Sequence, residues 1–321
     1  MRPGRRKDDA VKRVLITPRS LSLDPPPELD ALRQAGFELV FSTPGRMPDE
    51  AELLDLVPGC VGWLAGVEPV SERVVAAAGS LRAISRNGTG VDNLPLSLLQ
   101  DRGIRVVKAE GANAVGVAEL AIGLMLAALR HIPDEAAGIR SGGWPRSRGR
   151  EIAGRTVGIV GCGAIGRRVA RTVSAMGANI IACDPFRPEV YVSGPFRWAD
   201  IDTLFAEADI VSLHCPAPPD GRPVVDAARL AAMHPHAVLV NTARAVLVDE
   251  DAVRHALDTG RLQTYATDVF TEEPPPPGSL ALHPKVIATS HIGGLTDESV
   301  GKATAIAVAN LLAALETEHA A

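Results

Sequence analysis

Short apolar runs, many of them β-branched, alternate with amphipathic stretches along nearly the whole chain, and this rhythm sets the expected fold. Runs at 14–17, 37–40, 60–65, 81–84 and 104–107 read as buried strands. Between them, helical spacing of apolar positions predicts helices over 28–35, 50–56, 71–78 and 96–101; Pro25 to Pro27 leads into the first and Gly36 stops it. A longer apolar helix is predicted over 114–131. Beyond it the rhythm resumes, with strands at 156–160, 179–183, 209–213, 237–240, 264–267 and 286–288. Helices are predicted after Gly166, over 201–206 and 250–258, and over 297–315. Strands joined through helices predict an α/β protein with parallel sheets covered on both faces, in two sets lying before and after the 114–131 helix.

Composition narrows this picture in a few places. A chain of 321 residues suits about two domains. With 33 basic and 38 acidic residues the net charge is -5, which argues against general nucleic-acid affinity. The basic start, with Arg2, Arg5, Arg6 and Lys7 beside Asp8 and Asp9, reads as a disordered tail over residues 1–10. Cys60, Cys162, Cys183 and Cys215 show no C-x-x-C spacing, so neither a disulfide framework nor a metal site is expected, and the chain suits a reducing cytoplasm. No apolar segment of secretory type follows the basic start, and the apolar stretch 115–129 carries Glu119 and is short for a bilayer span. No membrane partner is expected.

The most informative stretch runs from Thr156 to Asp184. A short apolar strand leads into Gly161-Cys162-Gly163-Ala164-Ile165-Gly166, then Val169, Ala170, Val173 and Met176 recur at helical spacing, and a second strand ends at Asp184. Gly161 lets the chain turn out of the strand, Gly163 lets backbone approach a pyrophosphate, and Gly166 allows close packing of helix on strand. The helix start offers unpaired N–H groups and a positive dipole end to phosphates. Asp184, about 20 residues on, suits the ribose hydroxyls of a dinucleotide. Its carboxylate would repel a 2′-phosphate, which favours NAD over NADP, and Arg187 softens that preference.

Three charged residues follow predicted strands: Arg244 after 237–240, Glu273 in the loop after 264–267, and His291 after 286–288. Ligands of open α/β sheets bind at the carboxyl ends of strands, where these three fall. Each alone reads better without chemistry: Arg244 as a surface cation, Glu273 as a solvated loop charge and His291 as a cap or core histidine. Together they supply what ketone reduction needs.

The motifs Arg86-Asn87-Gly88-Thr89-Gly90-Val91-Asp92-Asn93, Asn241-Thr242-Ala243-Arg244, Asp268-Val269-Phe270-Thr271-Glu272-Glu273-Pro274-Pro275 and Ser290-His291-Ile292-Gly293-Gly294 resemble those of the D-isomer-specific 2-hydroxyacid dehydrogenases, closest to the D-3-phosphoglycerate dehydrogenase branch. The resemblance implies two Rossmann-like or flavodoxin-like lobes with the active site in the cleft between them. The substrate lobe would comprise residues 11–111 plus 292–321, and the NAD-binding lobe residues 112–291. It implies that Arg244 binds the substrate carboxylate and that His291 is acid in reduction and base in oxidation. Glu273 would hydrogen-bond His291 and hold it partly protonated. It places Thr89 and Gly90 at the substrate and Thr89 also near the nicotinamide, with Asp268 taking the nicotinamide amide. Ala164, Ile165, Cys215, Pro216, Thr242, Ala243, Arg244, His291, Gly293 and Gly294 would complete the cofactor contacts. No metal is required.

Departures from the family pattern bear on substrate. Ala245 stands where a glycine is usual, and Glu110 where many relatives have proline. Ala65-Gly66-Val67-Glu68-Pro69 replaces the basic stretch of phosphoglycerate dehydrogenases, removing a cation suited to a phosphate, for which Arg19 and Arg86 could substitute. The chain ends at Ala321 without the regulatory domain of the long members, so feedback control by serine is not expected. The expected activity is NAD-dependent interconversion of a D-2-hydroxy acid and its 2-keto acid, on phosphoglycerate or on glyoxylate and hydroxypyruvate. An NAD(H)-sensing corepressor-like protein and a formate- or phosphite-type dehydrogenase are the alternatives. The helix over 114–131, apolar on more than one face, suggests a homodimer.

Overall fold

The computed structural model describes residues 11–316; the tail expected over residues 1–10 lies outside them. The chain divides into two compact units, one formed by Met1–Asn113 with Asp297–Ala321 and the other by Ala114–Thr296.

The first unit holds β1 (Arg13–Ile16), β2 (Glu38–Phe41), β3 (Cys60–Ala65), β4 (Ala83–Arg86) and β5 (Arg105–Lys108), all parallel, in the order β2-β1-β3-β4-β5. Alternate side chains of β1 leave on opposite faces. Val14 and Ile16 pack with Ala307, Leu311 and Leu315 of the helix Asp297–Glu316, while Leu15 joins Trp63, Ile84, Leu53 and Leu99 on the other face. That helix is long and apolar enough to cross a membrane by length and composition, yet it serves as a core helix here. Burial of Leu311 and Leu315 contributes about 1.5–3 kcal/mol each, and Ser85 Oγ donates to the Ala307 carbonyl over 2.7 Å. Asp49 and Ser71 cap the helices Glu50–Leu56 and Glu72–Ala77 by accepting from Glu52 N and Val74 N. Such caps contribute about 1 kcal/mol each.

The second unit holds β6 (Thr156–Val160), β7 (Asn179–Cys183), β8 (Phe196–Trp198), β9 (Ile210–Leu213), β10 (Ala237–Asn241), β11 (Leu262–Thr267) and β12 (Val286–Ala288). All pairs are parallel, in the order β12-β11-β10-β9-β6-β7-β8. The chain steps outward from β6 to β8, then returns to lay β9 on the other side of β6. The junction of β6 and β9 is therefore the point where strand order reverses, the place where such sheets bind ligands. Val157, Ile159, Val238 and Val240 pack beneath the helices Ala114–Arg130 and Ala164–Ala175; Val211, Leu213 and Leu239 face Leu204, Phe205 and Leu257.

Several elements differ from the sequence reading. The predicted helix over 28–35 is a 3-10 turn, Pro27–Leu29, followed by a short helix, Asp30–Gln34. The long helix ends at Arg130, within one residue of the predicted end, where His131 adopts a left-handed conformation (φ 55°), but Ile132–Arg140 then forms a second helix that the pattern did not predict. Ala118, Ala121, Met125 and Leu129 are buried within their own unit, so much of the apolar character read above as dimer-forming is used internally. The helix Ile132–Arg140 buries no residue. β8, which pattern did not reveal, is three residues long at the sheet edge, with Phe196 and Trp198 in an edge-to-face pair.

Candidate active site

At the β6/β9 junction the first glycine of the motif is obligatory on two counts. Gly161 has φ +91°, and a Cβ there would lie 2.7 Å from the backbone of His214 and Cys215, at the end of β9. Gly166 is equally constrained, since a Cβ would fall 2.0 Å from the Gly161 carbonyl oxygen. Gly163 differs: it is the N-cap of the helix Ala164–Ala175, and a Cβ there would meet nothing within 4 Å. The opening above Gly163 is the space a phosphate group needs. No side chain caps this helix, and its first turn, which includes Ala164 and Ile165, carries no acid, so the helix start is left for an anion.

Asp184 follows β7 and is anchored rather than loose. Its Oδ2 accepts from Cys162 N over 2.7 Å and its Oδ1 from Phe186 N over 2.8 Å, which ties the glycine turn to the acid expected at the ribose. Burial, reinforced by Asp184, pushes the Cys162 thiol up to about 12, and burial pushes Cys215 up to about 11. Both thiols stay protonated and act as apolar walls. The Thr242 hydroxyl, after β10, is buried without a hydrogen-bond partner, as is Nδ1 of His214. Unpaired buried polar atoms beside an open glycine turn and an uncapped helix start fit a polar dinucleotide. The residues present therefore suit NAD. Among the described residues no group of three metal-ligating side chains occurs.

β10, β11 and β12 are neighbours in the sheet, so the loops leaving their carboxyl ends lie side by side. The first presents Arg244, half-buried, whose Nη1 donates to the Ala243 carbonyl over 2.7 Å. The second presents Asp268 and Glu273, and the third presents His291. His291 Nδ1 lies 2.9 Å from both Oε1 and Oε2 of Glu273, with the two side chains 50% and 41% exposed. A carboxylate straddling Nδ1 makes that nitrogen the donor, fixes the ring plane and leaves Nε2 to exchange a proton with a ligand. His291 has φ 54° and is held in its loop by a hydrogen bond from its own N–H to the Thr289 carbonyl.

Asp268, only 2% exposed, accepts from Thr289 Oγ1, Ile292 N and Gly293 N. Its carboxylate is largely engaged by the His291 loop, an arrangement the sequence did not suggest. Thr242 and Ala243 lie between β10 and Arg244, Pro216 follows Cys215 after β9, and Gly294 follows Gly293. Thr89 and Gly90 belong to the first unit, after the carboxyl end of β4, and both are half-buried. Asn241 went unassigned in the sequence. Its signal was an amide closing an otherwise apolar strand; in the structure it is fully buried and braces the Arg244 turn.

Residues 122–293, more than half of the chain and all within the second unit, match the family described as D-isomer specific 2-hydroxyacid dehydrogenase, NAD binding domain. The chain is 40% identical over 255 residues to a D-3-phosphoglycerate dehydrogenase of Methanocaldococcus jannaschii, covering 78% of this chain and 49% of that protein. It is 36% identical over 257 residues to a hydroxypyruvate reductase of Thermotoga maritima, covering 78% and 83%. The chain thus spans about half the length of the first relative. Among solved structures, the TT0316 protein from Thermus thermophilus superposes with a TM-score of 0.84 at 36% identity, covering 95% of this chain and 97% of that one. The chain belongs to the D-isomer specific 2-hydroxyacid dehydrogenases, and its second unit is the family's NAD-binding domain.

Proposed function

We propose that the protein is an NAD-dependent oxidoreductase that interconverts a D-2-hydroxy acid and its 2-keto acid. The observation that carries this reading is the 2.9 Å pairing of His291 Nδ1 with Glu273, beside the Arg244 turn and in the unit that binds NAD. Arg244 binds the substrate carboxylate and polarises the adjacent carbonyl. In reduction His291 Nε2 gives its proton to the carbonyl oxygen; in oxidation it takes the hydroxyl proton. Glu273 fixes the ring and stabilises the positive charge that His291 carries when protonated. When bound, NADH supplies the hydride. Thr89 and Gly90, after β4 in the unit assigned to substrate, are the proposed substrate-binding residues of that unit.

Glyoxylate and hydroxypyruvate are favoured over a phosphorylated keto acid. The segment 65–69 folds around Glu68, an acid only 1% exposed that accepts from Thr17 Oγ1 and Gly66 N, and it supplies no cation for a phosphate. A homodimer is the proposed assembly. It is supported by the helix Ile132–Arg140 with exposed Ile132 and Ile139, and by exposed Trp144 in the segment that follows, apolar surface that a second copy would cover. The proposed location is the cytoplasm, in keeping with four free cysteines.

The test is NADH oxidation with glyoxylate, hydroxypyruvate and phosphohydroxypyruvate, repeated with NADPH. Turnover of an unphosphorylated acid with NADH is expected. Folded protein that binds NADH but reduces none of the three would overturn the reading.

A further inference from the structure

Two buried polar side chains meet at the carboxyl ends of β10 and β11. Asn241 is fully buried, Asp268 is 2% exposed, and the Asp268 N–H donates to the Asn241 carbonyl over 3.0 Å. Each grips a different turn. Asn241 Nδ2 donates to the Arg244 carbonyl over 2.8 Å, and its Oδ1 accepts from Ala243 N over 3.0 Å. Those bonds close the turn that presents the guanidinium. Asp268 Oδ1 accepts from Thr289 Oγ1 over 2.6 Å and from Ile292 N over 2.8 Å, while Oδ2 accepts from Gly293 N over 2.8 Å.

These three donors flank His291 on both sides. The histidine itself sits at φ 54°, a conformation an L residue adopts only where its surroundings hold it. An ionised carboxylate offers about four acceptor sites. Three contacts come from the chain's own loop, so that loop, before any nicotinamide amide, is the main partner of Asp268.

We infer that Asn241 and Asp268 are a pair of positioning residues, one setting the turn of the carboxylate-binding arginine and the other the loop of the proton donor. The inference rests on the reaction proposed above. Because the two are joined by one backbone hydrogen bond, they fix the arginine and the histidine from a single buried point of the sheet. Buried, mutually satisfied polar groups hold geometry more tightly than apolar packing does, because every alternative arrangement strands a donor or an acceptor.

The pair predicts a kinetic split. Asp268→Asn keeps the shape but turns an amide N–H toward one of the three donors. Thr289→Val removes one donor without changing volume. Both are expected to lower kcat by about 10- to 100-fold through misplacement of His291, with the NADH Kd and the keto-acid KM staying within about threefold. Asn241→Asp keeps the acceptor for Ala243 N and loses the donor to Arg244 O. It is expected to raise the keto-acid KM by about tenfold, with a smaller change in kcat.

A second readout does not need turnover. In spectra of ¹⁵N-histidine-labelled protein, His291, assigned through His291→Gln, is expected as one form with Nδ1 protonated, and as a mixture of ring forms in Asp268→Asn and Thr289→Val. A parent inactive on every keto acid would sink the assigned reaction, while the ring spectra would still decide the pair. If Asp268→Asn weakens NADH binding and keeps kcat, the cofactor is its main partner and the inference fails. It fails also if the variants lose only thermal stability, with kcat and the ring form as in the parent. Should Asp268→Asn not fold, Thr289→Val carries the same test.

Discussion

Replacing Gly163 by alanine separates the cofactor site from the fold. The glycine has φ -69° and ψ -158°, which alanine also adopts, and the added methyl meets no protein atom within 4 Å. Two small terms act on stability. Stiffening the unfolded chain stabilises by about 0.4–1 kcal/mol, and replacing a glycine N-cap by alanine costs up to about 1 kcal/mol. They offset, so Tm is expected to move by no more than about 2–4 °C. The methyl instead occupies the opening at the uncapped start of the helix Ala164–Ala175. Loss of one charge-assisted backbone bond to a phosphate costs about 1.5–3 kcal/mol, which raises the NADH Kd by about 10- to 150-fold. The assay is NADH fluorescence titration beside thermal unfolding of the same samples. Gly166→Ala is the contrast: its methyl would fall 2.0 Å from the Gly161 carbonyl, so the helix must move and Tm must drop. Parent-like NADH affinity in Gly163→Ala would refute the placement of the pyrophosphate.

Other outcomes follow from the same geometry. Arg244→Ala is expected to raise the keto-acid KM and lower kcat; steady-state kinetics over a keto-acid titration check this. Glu273→Gln keeps a group beside His291 Nδ1 but removes the charge, and is expected to lower kcat by about tenfold or more, read in the same assay. Burial pushes His214 down to about 4, so the folded chain refuses a proton that the unfolded chain accepts. Stability attached to this group is complete above about 6.5 and is lost as pH falls toward 4. Thermal melts across that window should show a smaller acid loss in His214→Asn than in the parent.

Much of the fold was legible because parallel sheets are written in short apolar runs, and β3, β6, β7 and the helices Glu50–Leu56 and Leu96–Asp101 emerged from pattern alone. β8 did not, because it has only three residues, none of them buried, at a sheet edge and carries no period. The end of the long helix near His131 was readable, but the helix Ile132–Arg140 beyond it was not, because it buries no residue and so carries no apolar stripe. The glycine turn was readable because φ +91° at Gly161 and the close approach at Gly166 leave no other residue type. Asp268 shows where such reading runs out. A sequence can place an acid after a strand, but the three donors that occupy it come from residues 289–293, and only folding brings those to it. Asn241 was hidden likewise, its side chain bonding forward into its own turn.

The most direct test of the account is NADH oxidation by the purified protein with glyoxylate and hydroxypyruvate, run beside His291→Gln at neutral pH. The account predicts turnover by the parent and a fall in kcat of at least about 100-fold in the variant, with NADH still bound. Equal rates in the two proteins would contradict it, because the proton would then come from somewhere other than His291.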